Sequence, residues 1–408
     1  MRLHPFRALR PPPELAARVA AVPYDVVSRE EAAALAEENP HSFLHVGRSD
    51  IDLPPDTDPY DPRIYAAARA ALDRFVARGT LVRDREPNLF LYRQEMDGRS
   101  QTGIVGCVHV DDYEHDVIRK HEKTRKDKED DRTRHVLTLN AHAEPVFLTY
   151  RPVAKLDELA RTAAGALPLY DFTAPDGVRH TVWRVVDPDA WVRAFCTVPV
   201  AYVADGHHRS ASAWHAGRER RAANPQHRGD EEYNWFLAVL FPSSQLRILP
   251  YNRLVKDLNG LTPAAFAEQL RSLGRLERTA EPSPSAPASF GLYFDGAWQR
   301  LTLDERFIDR ADPIGSLDVS LLQDRVLGPI LGIGDPRTDK RIDFAGGIRG
   351  PGELERRVRS GEMALGVAMY PTTLEQLIAV SDAGAIMPPK STWFEPKLRS
   401  GLFVHELD

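Results

Sequence analysis

The most informative segment of this chain is Val198-Pro-Val-Ala-Tyr-Val-Ala-Asp-Gly-His-His-Arg209. Its apolar residues predict a strand over Val198–Ala204, which runs directly into a glycine turn and then a helix over 207–222. A glycine at such a turn lets the backbone approach a ligand closely. The exposed N–H groups and the dipole at the helix start attract an anion. The stretch therefore outlines a phosphate-binding turn.

The polar side chains of this turn fit the same chemistry. Arg209 offers a planar fork of donors that matches phosphate oxygens. Asp205 is a candidate ligand for Mg²⁺, which proteins hold with one or two carboxylates plus phosphate. Two alternatives stay open. His207 and His208 are zinc-ligand types, although they point in different directions along a helix and lack a third ligand at a recognised spacing. The second alternative is that the turn has a purely structural role.

Helices and strands alternate around this stretch. Ser28 and Glu31 form a capping box that predicts a helix start, and the turn Asp97-Gly98 predicts a hairpin. Further elements are predicted as strands at 89–94, 103–110, 178–186, 236–241 and 246–251, and as a helix near 62–78. This order favours an α+β fold with a small mixed sheet over a doubly wound parallel sheet.

The chain length of 408 residues predicts two or three domains. We divide it into an N-terminal α/β region over 1–100, a phosphate-binding core over 101–250 and a C-terminal α+β region over 251–408. The Pro- and Ser-rich segment near 279–289 reads as a linker or a long surface loop.

Composition excludes several classes of protein. Lys and Arg number 53 against 59 Asp and Glu, a net charge of −6, so bulk charge favours neither nucleic acid nor an anionic membrane as a partner. No apolar run is long enough to span a bilayer or to serve as a signal peptide, which predicts a cytoplasmic protein. The two cysteines, Cys107 and Cys196, have apolar neighbours and are predicted to be buried and reduced. The sequence leaves the oligomeric state open.

A second charged segment, Arg119–Arg134, contains eight Lys or Arg and five Asp or Glu residues. One interpretation is a solvated helix face with many salt bridges. The other uses Glu122 as a general base and the cations as a phosphate clamp. The spacing alone does not decide between them.

A third segment, Ala385–Leu402, combines stiffening prolines with side chains that suit anions. Its donors are Lys390, Ser391, Thr392 and Lys397. The alternative is a surface loop packed by Trp393 and Phe394.

Four motifs make the chain resemble the bacterial DUF1015 family over most of its length. In chain order they are Val22-Pro-Tyr-Asp-Val-Val-Ser28, His121-Glu-Lys-Thr124 with Asp131-Arg132, Ala204-Asp-Gly-His-His-Arg209, and Met387-Pro-Pro-Lys-Ser-Thr392 with Pro396-Lys397 and Ser400-Gly401.

The Asp-Gly-His-His-Arg element is also similar to the phosphate-binding motif of the ParB/sulfiredoxin superfamily. This resemblance implies a mixed-sheet core of that type with added N- and C-terminal α/β elaborations. The free-serine kinases of the superfamily convert L-serine to O-phosphoserine and carry a His-Glu pair upstream, so Glu122 is implied as the base. Sulfiredoxins have a reactive cysteine where His207 stands, and no helix-turn-helix of a ParB protein is visible. Neither of those activities is expected.

The reaction implied is phosphoryl transfer from ATP, ADP or pyrophosphate to free L-serine or a similar small alcohol, with Mg²⁺. Glu122, His207 and Arg209 are the catalytic candidates, and Tyr24 and Asp25 are assigned to substrate binding. The remaining donor-binding candidates are Gly206, His208, Lys123, Thr124, Arg132, Lys390, Ser391, Thr392 and Lys397. The alternatives are a non-catalytic sensor of nucleotides or phosphometabolites and a phosphohydrolase that uses the same residues.

Overall fold

The computed structural model describes all 408 residues, Met1–Asp408. They form two compact units. The first comprises Met1–Lys120, Thr124–Leu246 and Pro396–Asp408, and the second comprises His121–Lys123 and Arg247–Glu395. The predicted division into 1–100, 101–250 and 251–408 has other bounds and stays a prediction.

The first unit contains helices, strands and short 3₁₀ turns. Before its C-terminal segment, its strands are β1 (Leu3–His4), β2 (Leu9–Arg10), β3 (Val82–Arg83), β4 (Phe90–Met96), β5 (Arg99–His109), β6 (Ile118–Arg119), β7 (Ala141–His142), β8 (Val146–Tyr150), β9 (Tyr170–Thr173), β10 (Arg179–Arg184), β11 (Ala201–Asp205) and β12 (Trp235–Pro242). Its helices are α1 (Ala16–Val19), α2 (Arg29–Ala36), α3 (Leu44–Gly47), α4 (Pro62–Ala77), α5 (Val110–Glu114), α6 (Lys126–Leu139), α7 (Ala154–Ala163), α8 (Pro188–Phe195) and α9 (His207–Ala223).

Nine strands of the first unit form one sheet in the order β6-β11-β8-β12-β5-β4-β10-β9, with β1 also paired to β5. β11 is parallel to β6 and β12 is parallel to β8, while the other neighbours are antiparallel. The predicted α+β fold with a mixed sheet is thereby confirmed. β11, the strand that leads into the glycine turn, has β6 and β8 as neighbours, and its last residue, Asp205, pairs with Phe147 of β8.

Two apolar clusters hold the first unit together. One lies against the sheet and includes Trp191 and Phe195 of α8 and Phe236 of β12. The other packs the N-terminal helices and includes Phe43 and Phe75. Burying an aromatic side chain of this kind contributes about 1.5–3 kcal/mol, so these clusters supply much of the force that keeps the sheet and its helices in place.

Several local predictions are confirmed. Ser28 and Glu31 form the capping box at the start of α2. The hairpin at Asp97-Gly98 joins β4 to β5, and α9 follows the glycine turn directly. For the cysteines the prediction is half wrong: Cys107 is buried, but Cys196 is exposed, because it follows the last residue of α8, where the chain leaves the core.

The second unit contains strands β13 (Ile248–Leu249), β14 (Tyr251–Val255), β15 (Gly274–Arg278), β16 (Ser289–Phe294), β17 (Ala297–Leu303), β18 (Ile342–Gly346), β19 (Leu365–Ala368) and β20 (Trp393–Phe394). Its helices are α10 (Pro263–Arg271), α11 (Asp318–Leu322), α12 (Gly350–Arg359) and α13 (Leu374–Asp382). Six strands make an antiparallel sheet in the order β15-β17-β16-β19-β14-β18. The segment predicted as a linker connects β15 to β16 within this sheet.

The chain then returns to the first unit and ends with β21 (His405–Glu406), which pairs with β7. None of the helices combines the length and the apolar character needed to cross a membrane.

Gly103 marks a close approach inside the large sheet. A Cβ at this position would lie 2.8 Å from the backbone oxygen of Leu240 and 2.8 Å from the ring of Phe241. We predict that Gly103→Ala lowers the free energy of unfolding by about 1–3 kcal/mol, the usual cost of overpacking, as measured by urea denaturation. Gly165→Ala is the control, since its nearest neighbour lies at an ordinary 3.4 Å. Equal stability of the two variants would contradict the prediction.

Candidate phosphate-binding site

The turn from β11 into α9 requires glycine. Gly206 precedes the first residue of α9 and has φ +95° and ψ 36°, in the left-handed region. A Cβ here would also lie 3.0 Å from Nε of Arg209. The backbone therefore closes tightly around the start of the helix, where no side chain caps the first N–H groups. Such a helix start is suited to an anion.

Arg209 is a buried cation at this turn, with 8% of its surface exposed. Its Nη1 donates to the carbonyl oxygen of Pro145 at 2.5 Å, and its Nη2 donates to Oδ2 of Asp205 at 3.1 Å. Its Nε is buried and has no hydrogen-bond partner. Arg209 is thus held in place by two of its nitrogens, while a third donor is left unsatisfied.

Asp205 lies between two cations. Besides its bond to Arg209, its Oδ2 is 3.7 Å from Nζ of Lys397. Burial alone would raise the pKa of the Asp205 carboxyl, but the charges of Lys397 and Arg209 outweigh it and lower the pKa to about 2. Asp205 is therefore ionised at neutral pH.

A carboxylate is a ligand type that Mg²⁺ accepts, but the charge of Asp205 is already balanced by Arg209 and Lys397. The structure contains no group of three His, Cys, Asp or Glu side chains arranged to hold a metal ion. Binding of Mg²⁺ at Asp205 stays a prediction.

The two histidines of the turn occupy different environments. Burial, together with the nearby positive charge of Arg209, lowers the pKa of His207 to about 3, although Asp205 opposes the shift. His207 is therefore neutral at physiological pH. Nε2 of His208 accepts a hydrogen bond from the backbone N–H of Arg125 at 3.2 Å. His208 thereby fixes the chain just before α6 begins.

Arg132 of α6 is the second buried arginine of the site. Its Nε donates to Oδ2 of Asp131 at 2.8 Å, and its guanidinium lies 4.3 Å from the ring centre of Tyr24. The other oxygen of Asp131 accepts from the hydroxyl of Tyr65 at 2.7 Å. Nη1 of Arg132 is buried and has no hydrogen-bond partner. This arginine is therefore also oriented by a carboxylate and left with one unsatisfied donor.

Glu144, which the sequence analysis missed, provides a further carboxylate. Its Oε1 accepts from the backbone N–H of Tyr24 at 3.3 Å and from the hydroxyl of Ser400 at 3.1 Å. Burial raises the pKa of Glu144, and the charges of Arg209 and Arg132 oppose the shift. A single glutamate before an apolar run carries no local pattern that would have identified it.

Arg132, Glu144 and Arg209 all line one cavity of about 30 Å³. A volume of this size accommodates a water molecule or a few ligand atoms. Each buried donor without a partner costs about 1–3 kcal/mol. An anionic oxygen that accepts from either arginine would therefore be bound with a substantial gain in free energy.

Comparisons with known proteins place the chain in a family. The model of the family described as "Protein of unknown function (DUF1015)" matches residues 3–320. The chain belongs to the DUF1015 family. A search of curated proteins gives no match.

Solved structures similar to this DUF1015 protein each cover 74% of its chain. A free serine kinase in complex with AMP has 13% identity and a TM-score of 0.36, with 91% of that chain covered. A conserved hypothetical protein from Pyrococcus furiosus has 12% identity and a TM-score of 0.36, with 95% covered. SbnI from Staphylococcus aureus, truncated at its C-terminus, has 14% identity and a TM-score of 0.38, with 87% covered.

The predicted site residues of this DUF1015 protein fall in both units. The first unit brings together Tyr24, Arg132, Asp205, Gly206, His207, His208, Arg209 and Lys397. Asp25 is in the same unit and is exposed. The hydroxyl of Thr124 donates to Glu129 at the start of α6, so Thr124 has a local role in this helix.

Five predicted site residues belong to the second unit: Glu122, Lys123, Lys390, Ser391 and Thr392. Within that unit the backbone N–H of Met387 donates to the carbonyl oxygen of His121 at 2.8 Å. Oγ1 of Thr392 lies 3.4 Å from Nε2 of His121, and the Ser391 hydroxyl donates to the Pro388 carbonyl at 2.6 Å. The His-Glu motif and the C-terminal Lys-Ser-Thr motif therefore meet in one unit.

Asp131 should be essential for holding Arg132. We predict that Asp131→Ala lowers the free energy of unfolding by about 3–5 kcal/mol, because it leaves a buried guanidinium without its carboxylate. Asp130→Ala is the matched control: Asp130 is exposed and pairs only with Lys126, so a loss below about 1 kcal/mol is expected. Chemical denaturation measures both. A loss for Asp131→Ala no greater than that of its neighbour would contradict the role given to this pair.

Proposed function

We propose that this protein is a small-molecule kinase that transfers a phosphoryl group to the hydroxyl of free L-serine or a similar small alcohol. The observation that carries the proposal is the pair of buried arginine donors without partners, Nη1 of Arg132 and Nε of Arg209, whose residues line one cavity beside a glycine turn. Buried donors without acceptors are rare in folded proteins. A bound phosphate oxygen would supply the missing acceptor.

Charge supports the same assignment. Three cations face three carboxylates at this site. The cations are Arg132, Arg209 and Lys397, and the carboxylates are Asp131, Asp205 and Glu144. Those carboxylates fix the cations in place before a ligand arrives. Fixed cations of this kind stabilise the charge that a transferring phosphoryl group carries on its equatorial oxygens.

The proposed reaction is an in-line displacement. The hydroxyl oxygen of the acceptor attacks the terminal phosphorus of the donor, and the bond to the bridging oxygen breaks. ATP would leave as ADP, ADP as AMP and pyrophosphate as phosphate. The hydroxyl proton passes to a base, and we assign that role to Glu122 on its resemblance to the His-Glu pair of free-serine kinases. Tyr24 and Asp25 are proposed to contact the acceptor, and Mg²⁺ is proposed to accompany the donor.

The decisive experiment is ³¹P NMR of the full chain with Mg²⁺ and L-serine, run separately with ATP, ADP and pyrophosphate. We expect a phosphoserine resonance with one donor. Release of inorganic phosphate without any acceptor would instead identify a phosphohydrolase. Ligand binding without turnover would identify a sensor, and either result would overturn the kinase proposal.

Variants of the phosphate site test its role in donor binding. We predict that Lys397→Gln and Arg209→Gln weaken binding of the accepted donor by at least about tenfold, the effect of losing one charge-assisted hydrogen bond, as measured by calorimetry. Arg218→Gln is the control, because Arg218 is exposed on the same helix and stacks only on Trp214. Circular dichroism confirms folding, and Lys397→Gln keeps the test decisive if the buried Arg209 variant unfolds. Unchanged affinity in folded Lys397→Gln and Arg209→Gln would remove this turn from donor binding.

The base assignment has its own test. We predict that Glu122→Gln lowers kcat by about 10²–10⁴-fold, the usual contribution of a general base, and leaves donor affinity nearly unchanged. Glu114→Gln, an exposed glutamate at the end of α5, is the matched control. Full turnover of Glu122→Gln would exclude this residue as the base.

A further inference from the structure

The first unit contains a second basic cavity whose lining shares no residue with the cavity at the glycine turn. It has a volume of about 410 Å³ and lies between the last turn of α4 and the segment that connects α2 to α3. Its walls include His41, His45, Arg74, Phe75, Arg78 and Thr80. Sites for small molecules typically enclose about 300–1,000 Å³, so this cavity is large enough for a metabolite.

The cavity carries an excess of positive charge. Arg74 and Arg78 stand one helical turn apart, and neither has a carboxylate partner within salt-bridge distance, whereas Arg69 on the same helix pairs with Asp73 at 2.9 Å. The one carboxylate in the lining, Asp52, is bonded to Nδ1 of His45 at 2.9 Å. Two guanidinium groups therefore share a cavity without a counter-charge of their own.

The position of these arginines near the C-terminus of α4 has a simpler explanation, since cations there interact favourably with the helix dipole. The helix dipole does not explain the positive charge near the opposite wall of the cavity, where His41 lies. His41 comes from the connection between α2 and α3, and its pKa is lowered by burial and by the charges of Arg18 and Arg78. Two arginines from separate elements, Arg18 of α1 and Arg78 at the end of α4, therefore place positive charge close to His41.

We propose that this cavity binds a small phosphorylated metabolite, with its phosphate held by Arg74 and Arg78 and its organic part against Phe75. The guanidinium fork matches phosphate geometry. The buried ring of Phe75, with Pro40 and Ala67, gives the cavity an apolar wall, which free phosphate would not use. This proposal does not depend on the proposed kinase reaction, and the two are tested separately.

The pKa of His41 reports whether a ligand occupies this cavity. Its Nδ1 lies 3.2 Å from Oγ1 of Thr80, which holds the imidazole in the cavity wall. An anion bound to Arg74 and Arg78 would favour the protonated imidazole, and an opposite charge at this range shifts a pKa by about 1 unit or more. Ligand binding at the glycine turn would not produce this local change.

The test is NMR titration of the full chain labelled with ¹³C-histidine, with the His41 resonance assigned from His41→Gln. The pKa of His41 is measured alone and with AMP, O-phosphoserine, inorganic phosphate or sulfate. We expect the pKa to rise by about 1 unit with at least one organic phosphate, at a lower concentration than inorganic phosphate requires. An unchanged pKa with every probe would overturn the proposal, as would equal responses to sulfate and the organic phosphates.

Variants make the test specific. In Arg74→Gln/Arg78→Gln the baseline pKa of His41 should rise because a neighbouring cation is lost, which also reports that the cavity is folded. The ligand-induced shift should then disappear. Arg69→Gln is the matched control and should respond like the unmodified protein. A full ligand response in the double variant would show that the arginines are not the phosphate ligands.

Discussion

The buried guanidinium of Arg209 holds together the phosphate-binding turn between β11 and α9. Asp205 ends β11 and Pro145 immediately precedes β8, and these two strands are antiparallel neighbours in the sheet. Arg209 bonds to both residues from the first turn of α9. The side chain thus connects a helix start to the ends of two strands. A Cβ at Gly206 would lie 3.0 Å from its Nε, so a side chain there would displace Arg209 as well as strain the backbone.

The two buried arginines of this site follow a common rule: each has a carboxylate that orients it and a buried donor without a partner. Asp205 orients Arg209, and Asp131 orients Arg132. A cation held in this manner loses little conformational freedom when a ligand binds, which is the physical basis of preorganised recognition. The same arrangement costs stability in the absence of the ligand, because donors without acceptors remain buried. Stability and anion binding are therefore coupled in this fold.

The sequence predicted the features that depend on neighbouring residues. The capping box at Ser28, the hairpin at Asp97-Gly98 and the strand-to-helix glycine turn each arise from interactions within a few positions. The mixed sheet also followed from the order of the elements. The predicted burial of Cys196 failed because hydrophobic neighbours do not reveal where a helix leaves the core.

Residues brought together over long distances were harder to predict. Glu144 lies beside Ser400, 256 positions further along the chain, and no local pattern marks Glu144. The C-terminal motif divides between the units: Lys397 faces Asp205 in the first, whereas Lys390 to Thr392 belong to the second. Adjacent positions of one sequence motif therefore belong to different units.

The pKa of His207 determines whether this side chain contributes positive charge when a phosphate binds. That pKa is about 3, and a nearby opposite charge raises a pKa by about 1–3 units. Even the largest such shift leaves the imidazole mostly neutral at pH 7. His207 can then exchange a hydrogen bond with a bound ligand but contributes little charge. Positive charge at this turn therefore comes from Arg132, Arg209 and Lys397, so anion binding should depend on these side chains rather than on protonation of His207.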